Sequence, residues 1–313
     1  MSINLVTGGC SFTEYVGCWP YWLIRKLRET HSNSDLALHN TGVGGGGNAL
    51  IARKVIHKVN KLLKEKQPKD IVVGIMWSGA NRKSFYSDDY DHLRMMFNVD
   101  NPLDDEQFKK RNKHGQRPRK FPNRPHKWPS NDHHGRYILL TPGNTYSDSG
   151  IFNSFAENVY KNIHNRNIAI ADTYEHVLRV QWYLEKHKIK YFMQTYMPEW
   201  VNQYVKASNN PKLVRYLTAK EHPQVEYLKE MIDWSKFTNT SCWQWVKDNS
   251  KLDWNAYDKL RDITRLPGDL HPTSDQQKEY VDQYLWPHLI DKKIFSISPL
   301  LKKNKGIEND EFI

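Results

Sequence analysis

Apolar residues recur along this chain with two periods, and segments of the two kinds alternate. Ile3 to Gly8 is a short continuous apolar run that closes on Gly8-Gly9-Cys10-Ser11, the pattern of a buried strand delivering a turn of small residues. Pro20 suits a helix start, and Trp19, Leu23 and Leu27 recur at helical spacing through Arg28. Leu36 to Thr41 predicts a second strand, followed by Gly42-Val43-Gly44-Gly45-Gly46-Gly47. A helix comes next, with Asn48 as its expected N-cap and Ile51, Val55, Val59 and Leu62 on one face. Asp70 to Trp77, continuous and rich in β-branched residues, predicts a third strand ending in Ser78-Gly79-Ala80-Asn81. Ile168 to His187 predicts a long helix with Tyr174, Val177, Leu178, Trp182 and Leu184 as its core face. Lys190 to Tyr196 follows as a fourth strand, ended by Pro198. Such a succession of strand, loop and helix indicates an α/β fold around a parallel sheet.

Two regions break the rhythm. Residues 98–136 carry ten Lys or Arg and five Pro with almost no apolar periodicity, which predicts an inserted basic arm. From Ser296 to Ile313 the chain is polar and mixed in charge, the composition of a tail. The expected organisation is therefore one α/β domain over residues 1–295 that contains the arm, followed by a tail over 296–313. No internal repeat or low-complexity tract interrupts it.

Composition narrows the function classes. The chain has 313 residues, 38% of them hydrophobic, enough apolar material for a sizeable core. A mean hydropathy of −0.79 and the lack of a long apolar run argue against a membrane span. The first residues, Met1-Ser2-Ile3-Asn4-Leu5, lack the basic and apolar regions of a secretory signal, so the chain is expected to stay in the compartment where it is made. Cys10, Cys18 and Cys242 suggest neither a disulfide framework nor a four-ligand zinc site, and fit a reducing, cytoplasmic compartment. A net charge of +11 favours an anionic partner: a nucleic acid, an acidic glycan or the acidic face of a protein.

In an open parallel sheet the binding crevice forms from the loops at the carboxyl ends of the strands, so residues directly after strands are the ones to rank. Taken in order, Gly9-Cys10-Ser11-Phe12-Thr13, Asn40-Thr41-Gly42-Val43-Gly44-Gly45, Gly79-Ala80-Asn81 and Asp269-Leu270-His271-Pro272 resemble the four blocks of the SGNH (GDSL-like) hydrolase family. The resemblance runs from residue 8 to residue 272 and is carried by these short motifs. It implies a flavodoxin-like, three-layer α/β/α sandwich around about five parallel strands. It also implies Ser11 as nucleophile, His271 as base and Asp269 as its supporting acid. The oxyanion hole would be made by the backbone amides of Ser11 and Gly45 and the side chain of Asn81. The implied activity is hydrolysis of a small ester, such as an O-acetyl group on a carbohydrate. No cofactor and no metal are expected.

The chemistry is coherent without the family. A serine hydroxyl attacks poorly until a base takes its proton, and an imidazole can do so when a carboxylate fixes its tautomer. A glycine-rich loop lets a backbone N–H approach a developing oxyanion closely, and an Asn at a strand end supplies a second donor. Pro272 biases His271 to an extended conformation, and Thr273-Ser274-Asp275-Gln276 then opens a final helix with Tyr280, Val281, Tyr284 and Leu285 as apolar members. The chain departs from the family at two points: Gly occupies position 268, so the acid lies two residues before the His rather than three, and Arg82 follows Asn81 where the family usually has Asp. Arg82 is accordingly a candidate substrate-binding cation.

Several other motifs invite a chemical reading. The glycine run also fits G-x-G-x-x-G, but it follows the second strand and no acidic residue ends a strand about twenty residues on. His114, His126, His133 and His134 lie in the basic arm at spacings that match no zinc signature. Cys10 beside Ser11 fits a small buried residue better than a thiol nucleophile. Trp19, Trp77, Trp200 and Tyr196 could stack on sugars, although a buried core role is the one favoured for them. In the arm, Phe121, Trp128 and Tyr137 among the cations suit a polyanion or a protein partner, and no motif for sequence-specific nucleic-acid binding is present. The charge, the arm and the altered acid spacing also motivate a second expectation, a structural subunit of a large assembly such as a virus particle, built on the same scaffold.

Overall fold

The structure, a computed structural model, describes residues 2–31, 35–87, 136–141, 144–145, 159–163, 166–197, 223–252 and 271–296. The chain divides into two compact units, one formed by Met1–Asn81 with Arg166–Ile313 and the other by Arg82–Asn165.

In the first unit, β1 (Ser2–Gly8) leads through α1 (Ser11–Glu14) to α2 (Trp19–Thr30), then β2 (Asp35–Asn40), α3 (Asn48–Leu62) and β3 (Ile71–Trp77). The four elements expected before residue 77 after the first turn are thus present with boundaries shifted by a residue or two. Pro20 falls in the first turn of α2, where a missing N–H costs no hydrogen bond. The strands pair in parallel in the order β2, β1, β3 and then β7 (Lys190–Thr195). The parallel sheet has four strands among the described residues, against the five or so expected.

Side chains alternate across the sheet and feed two separate cores. Ile3, Leu5, Val72, Met76 and Phe192 join a cluster with Trp19, Leu23 and Leu27 of α2. The same cluster takes in Trp245 of α6 (Cys242–Asn249), Tyr280 of α7 (Ser274–Tyr280), Val281 and Leu285 of a π-helical turn (Val281–Leu285), and Leu289 of α8 (Trp286–Asp291). Val6, Ile71, Val73, Ile75, Trp77, Tyr191 and Met193 join the other, with α3, α4 (Arg166–Lys186) and α5 (Pro223–Met231). A strand buried on both faces must be apolar at every position, which is why Ile71–Trp77 reads as an unbroken apolar run.

Two sequence expectations need correction here. Asn48 is the first residue of α3 rather than its cap, a position held by Gly47. Its buried side chain instead accepts from Ser78 N at 2.8 Å and donates to Ser78 O at 3.0 Å and Thr173 Oγ1 at 3.1 Å. On α4, Tyr174, Val177, Leu178 and Leu184 are buried as expected, but Trp182 is 54% exposed. The inward position in that turn is Gln181, which donates to Asp233 O at 3.0 Å and accepts from Asp233 N at 3.1 Å. Hydropathy favours the tryptophan; helical phase and the polar partner favour the glutamine.

The second unit contains a three-stranded antiparallel sheet of β4 (Lys83–Ser87), β5 (Arg136–Thr141) and β6 (Asn144–Thr145), for which the hydropathy pattern carried no expectation. Apart from Arg136, which opens β5, the expected basic arm lies outside the described residues, as do Pro198, the metal candidates His114, His126, His133 and His134, and all of the tail except Ser296.

Candidate functional site

Because β1, β2 and β3 are parallel neighbours with β1 in the middle, the loops leaving their carboxyl ends emerge side by side. Those loops carry Ser11, the glycine run and Asn81. Ser11 opens α1, a single turn closed by Thr13 N and Glu14 N donating to Cys10 O at 2.8 and 3.1 Å. Cys10 is fully buried, so its thiol faces the core while the next residue turns outward. All three cysteines are buried free thiols, and burial, with Cys18 and Cys10 close by, pushes the Cys242 thiol well above its usual range.

The base arrives from the far end of the chain. Ser11 Oγ lies 2.6 Å from His271 Nε2, a hydrogen bond between residues 260 positions apart. In the tautomer with the proton on Nδ1, the serine hydroxyl donates to Nε2, the arrangement required for proton removal. The imidazole also rests against Phe12, with ring centroids 4.8 Å apart and planes inclined by 39°, and Phe12 meets Tyr196 edge-on at 5.1 Å. The backbone behind His271 is held by a capping box on α7. Thr273 Oγ1 accepts from Gln276 N at 3.1 Å, and Gln276 Oε1 accepts from Thr273 N at 2.8 Å. Gln277 Oε1 then accepts from Trp19 N at 2.8 Å, tying α7 to the start of α2.

The glycine run lies directly on the serine turn. A Cβ on Gly42 would stand 2.8 Å from Glu14 N, closer than side chains tolerate, so only glycine permits this approach. Val43 N donates to Gly9 O at 2.9 Å and Gly46 N to Val43 O at 2.9 Å. Between them the buried Gly45 takes φ 75°, the left-handed region. On the other side of β1, the reciprocal bonds between Asn48 and Ser78 anchor the loop that leads to the half-buried Asn81.

Of the residues singled out in the sequence, Ser11 and His271 are therefore hydrogen-bonded, and Gly45 and Asn81 sit on the loops flanking Ser11. Asp269 lies outside the described residues, and Arg82 is the first residue of the second unit. Trp19 and Trp77 are fully buried and Tyr196 nearly so, which makes them core rather than sugar platforms; Trp200 lies outside the described residues. Among the described residues no cluster of His, Cys, Asp and Glu could hold a metal ion, and no helix is long and apolar enough to cross a membrane.

Reading by motif missed Phe12, Glu14 and the role of Asn40. The Asn40 amide donates to Thr13 O at 2.6 Å while its Oδ1 accepts from Gly42 N at 2.9 Å, joining the serine turn to the glycine loop. A polar residue closing a strand just before a glycine run was the available signal. The chain matches no protein-family model, and no curated protein matches it significantly.

Proposed function

We propose that this chain is a serine esterase of the SGNH type, with the three-layer α/β/α arrangement of that family. The observation that carries the reading is the 2.6 Å contact between Ser11 Oγ and His271 Nε2 at the carboxyl edge of the parallel sheet. A serine and a histidine brought together across the length of the chain, on a turn that leaves the serine half-buried, are the two parts that acyl transfer needs first.

In the proposed reaction, Ser11 Oγ attacks the ester carbonyl carbon while its proton passes to His271 Nε2. The oxygen of the tetrahedral intermediate takes the negative charge and is met by the amides of Ser11 and Gly45 and the Asn81 side chain, each such donor being worth about 3 kcal/mol in comparable sites. The C–O bond to the alcohol then breaks, and His271 returns the proton to the leaving alkoxide. Water attacks the acyl-serine with His271 again as base, releasing the carboxylic acid and restoring the Ser11 hydroxyl. Asp269, two residues before His271, is the acid that the resemblance assigns to Nδ1. A small ester, such as O-acetyl on a carbohydrate, is the substrate class the same resemblance favours.

The test is turnover of p-nitrophenyl acetate, with fluorophosphonate labelling, in wild type and Ser11→Ala. The expected outcome is labelling of Ser11 in the wild type, and loss of both labelling and at least ~10³-fold of kcat in the variant. A well-folded wild type that neither turns over nor labels would favour the structural-subunit reading instead.

A further inference from the structure

Among the described residues, the proposed reaction leaves a carboxylate at the site, that of Glu14, without a task. Glu14 ends α1, three residues after Ser11, and its Oε2 accepts from Gly44 N at 2.9 Å. We propose that Glu14 is a positioning residue, whose carboxylate holds the Gly44 amide and thereby sets the peptide carrying the Gly45 N–H against Ser11. The inference rests on the esterase reading, in which the Gly45 amide is an oxyanion donor.

The loop's composition makes such a clamp necessary. Five of the six residues from Gly42 to Gly47 are glycine, so the segment has wide conformational freedom to lose. Its outer parts are held by Val43 N on Gly9 O and by Gly46 N on Val43 O. The stretch between them contains the left-handed Gly45, and the Gly44 amide is held there by Glu14. The carboxylate sits close over that backbone, since a Cβ on Gly44 would come within 2.7 Å of Glu14 Oε2. Asn40 reinforces the same junction by donating to Thr13 O and accepting from Gly42 N, which ties the nucleophile turn to the glycine loop. An oxyanion donor misplaced by a fraction of an ångström loses much of its effect, so an acceptor oxygen at this position matters for geometry.

The experiment uses the full chain with Glu14→Ala and Glu14→Gln, the latter keeping an acceptor oxygen of the same reach. For p-nitrophenyl acetate, Glu14→Ala is expected to lower kcat about tenfold with KM within about twofold, because the lost interaction acts on the transition state. Fluorophosphonate labelling of Ser11 should slow in parallel, and Glu14→Gln should stay within about threefold of wild type. Hydrogen exchange of the 42–47 peptide reads the clamp directly and should quicken in Glu14→Ala but not in Glu14→Gln. Unchanged exchange and kcat in Glu14→Ala, or equal losses in both variants, overturn the inference while Ser11 labelling upholds the esterase. A wild type that neither labels nor turns over overturns the esterase reading and this role with it.

Discussion

At Gly45 the backbone φ of 75° is one that a side chain makes costly, by about 1–2 kcal/mol for an ordinary L-residue. Gly45→Ala is therefore expected to lower the thermal midpoint by a few degrees and kcat by tenfold or more, the second effect exceeding what stability alone explains, because the displaced amide is a proposed oxyanion donor. Unchanged kinetics in a destabilised variant would remove Gly45 from the site. Residues of this kind were only half legible. Ser11 and His271 could be ranked from short motifs, since a small-residue turn after a strand and a His-Pro before a helix are local patterns. Phe12 and Glu14 could not, because their roles consist of contacts with His271 and Gly44, which are distant in sequence.

Among the elements, α7 carries the clearest local instruction. Thr273 and Gln276 satisfy each other's backbone amides, and the pair was readable as the start of a helix from spacing alone. Thr273→Ala should cost about 1 kcal/mol in urea denaturation, with Thr273→Ser close to wild type. Because the cap lies two residues beyond His271, the same change should slow fluorophosphonate labelling of Ser11. A stability loss without slower labelling would show that the cap does not hold the base. On α4 hydropathy places Trp182 inward and the structure places Gln181 there, since a hydropathy scale does not register that Gln181 has two backbone partners at Asp233. Asn48 differs from its expectation for the same kind of reason: an Asn after a glycine run has the pattern of a cap, and only the fold puts Ser78 opposite it.

Across the molecule, α2 and the helical end of the chain are joined at the surface by Asp282, which lies 3.2 Å from Lys26 Nζ and 2.7 Å from Lys278 Nζ. Burial alone would raise its pKa, but the hydrogen bonds from Lys278 and Lys26 outweigh this and hold the carboxyl below its ordinary 3.8. A folded-state value below the unfolded one stabilises the protein at pH values above the unfolded one, and the contribution disappears as pH falls through the folded value. Asp282→Asn should thus be less stable than wild type at pH 7, by under about 1 kcal/mol because solvent screens the pair. The gap should close below pH 3.8 and shrink in high salt; a gap that persists at low pH would show that packing, not charge, is responsible.

What this sequence determined by itself was local: the alternation of strand and helix, the buried character of Ile71–Trp77, the glycine turn and the capping box, since each depends on residues within a few positions of one another. The order β2, β1, β3, β7 and the meeting of Ser11 with His271 across 260 residues were decided only by the tertiary structure. Such contacts exist only once the two cores have closed on either face of the sheet and brought the carboxyl ends of the strands together with the start of α7. No period or spacing within the chain encodes which loop an isolated polar side chain will face.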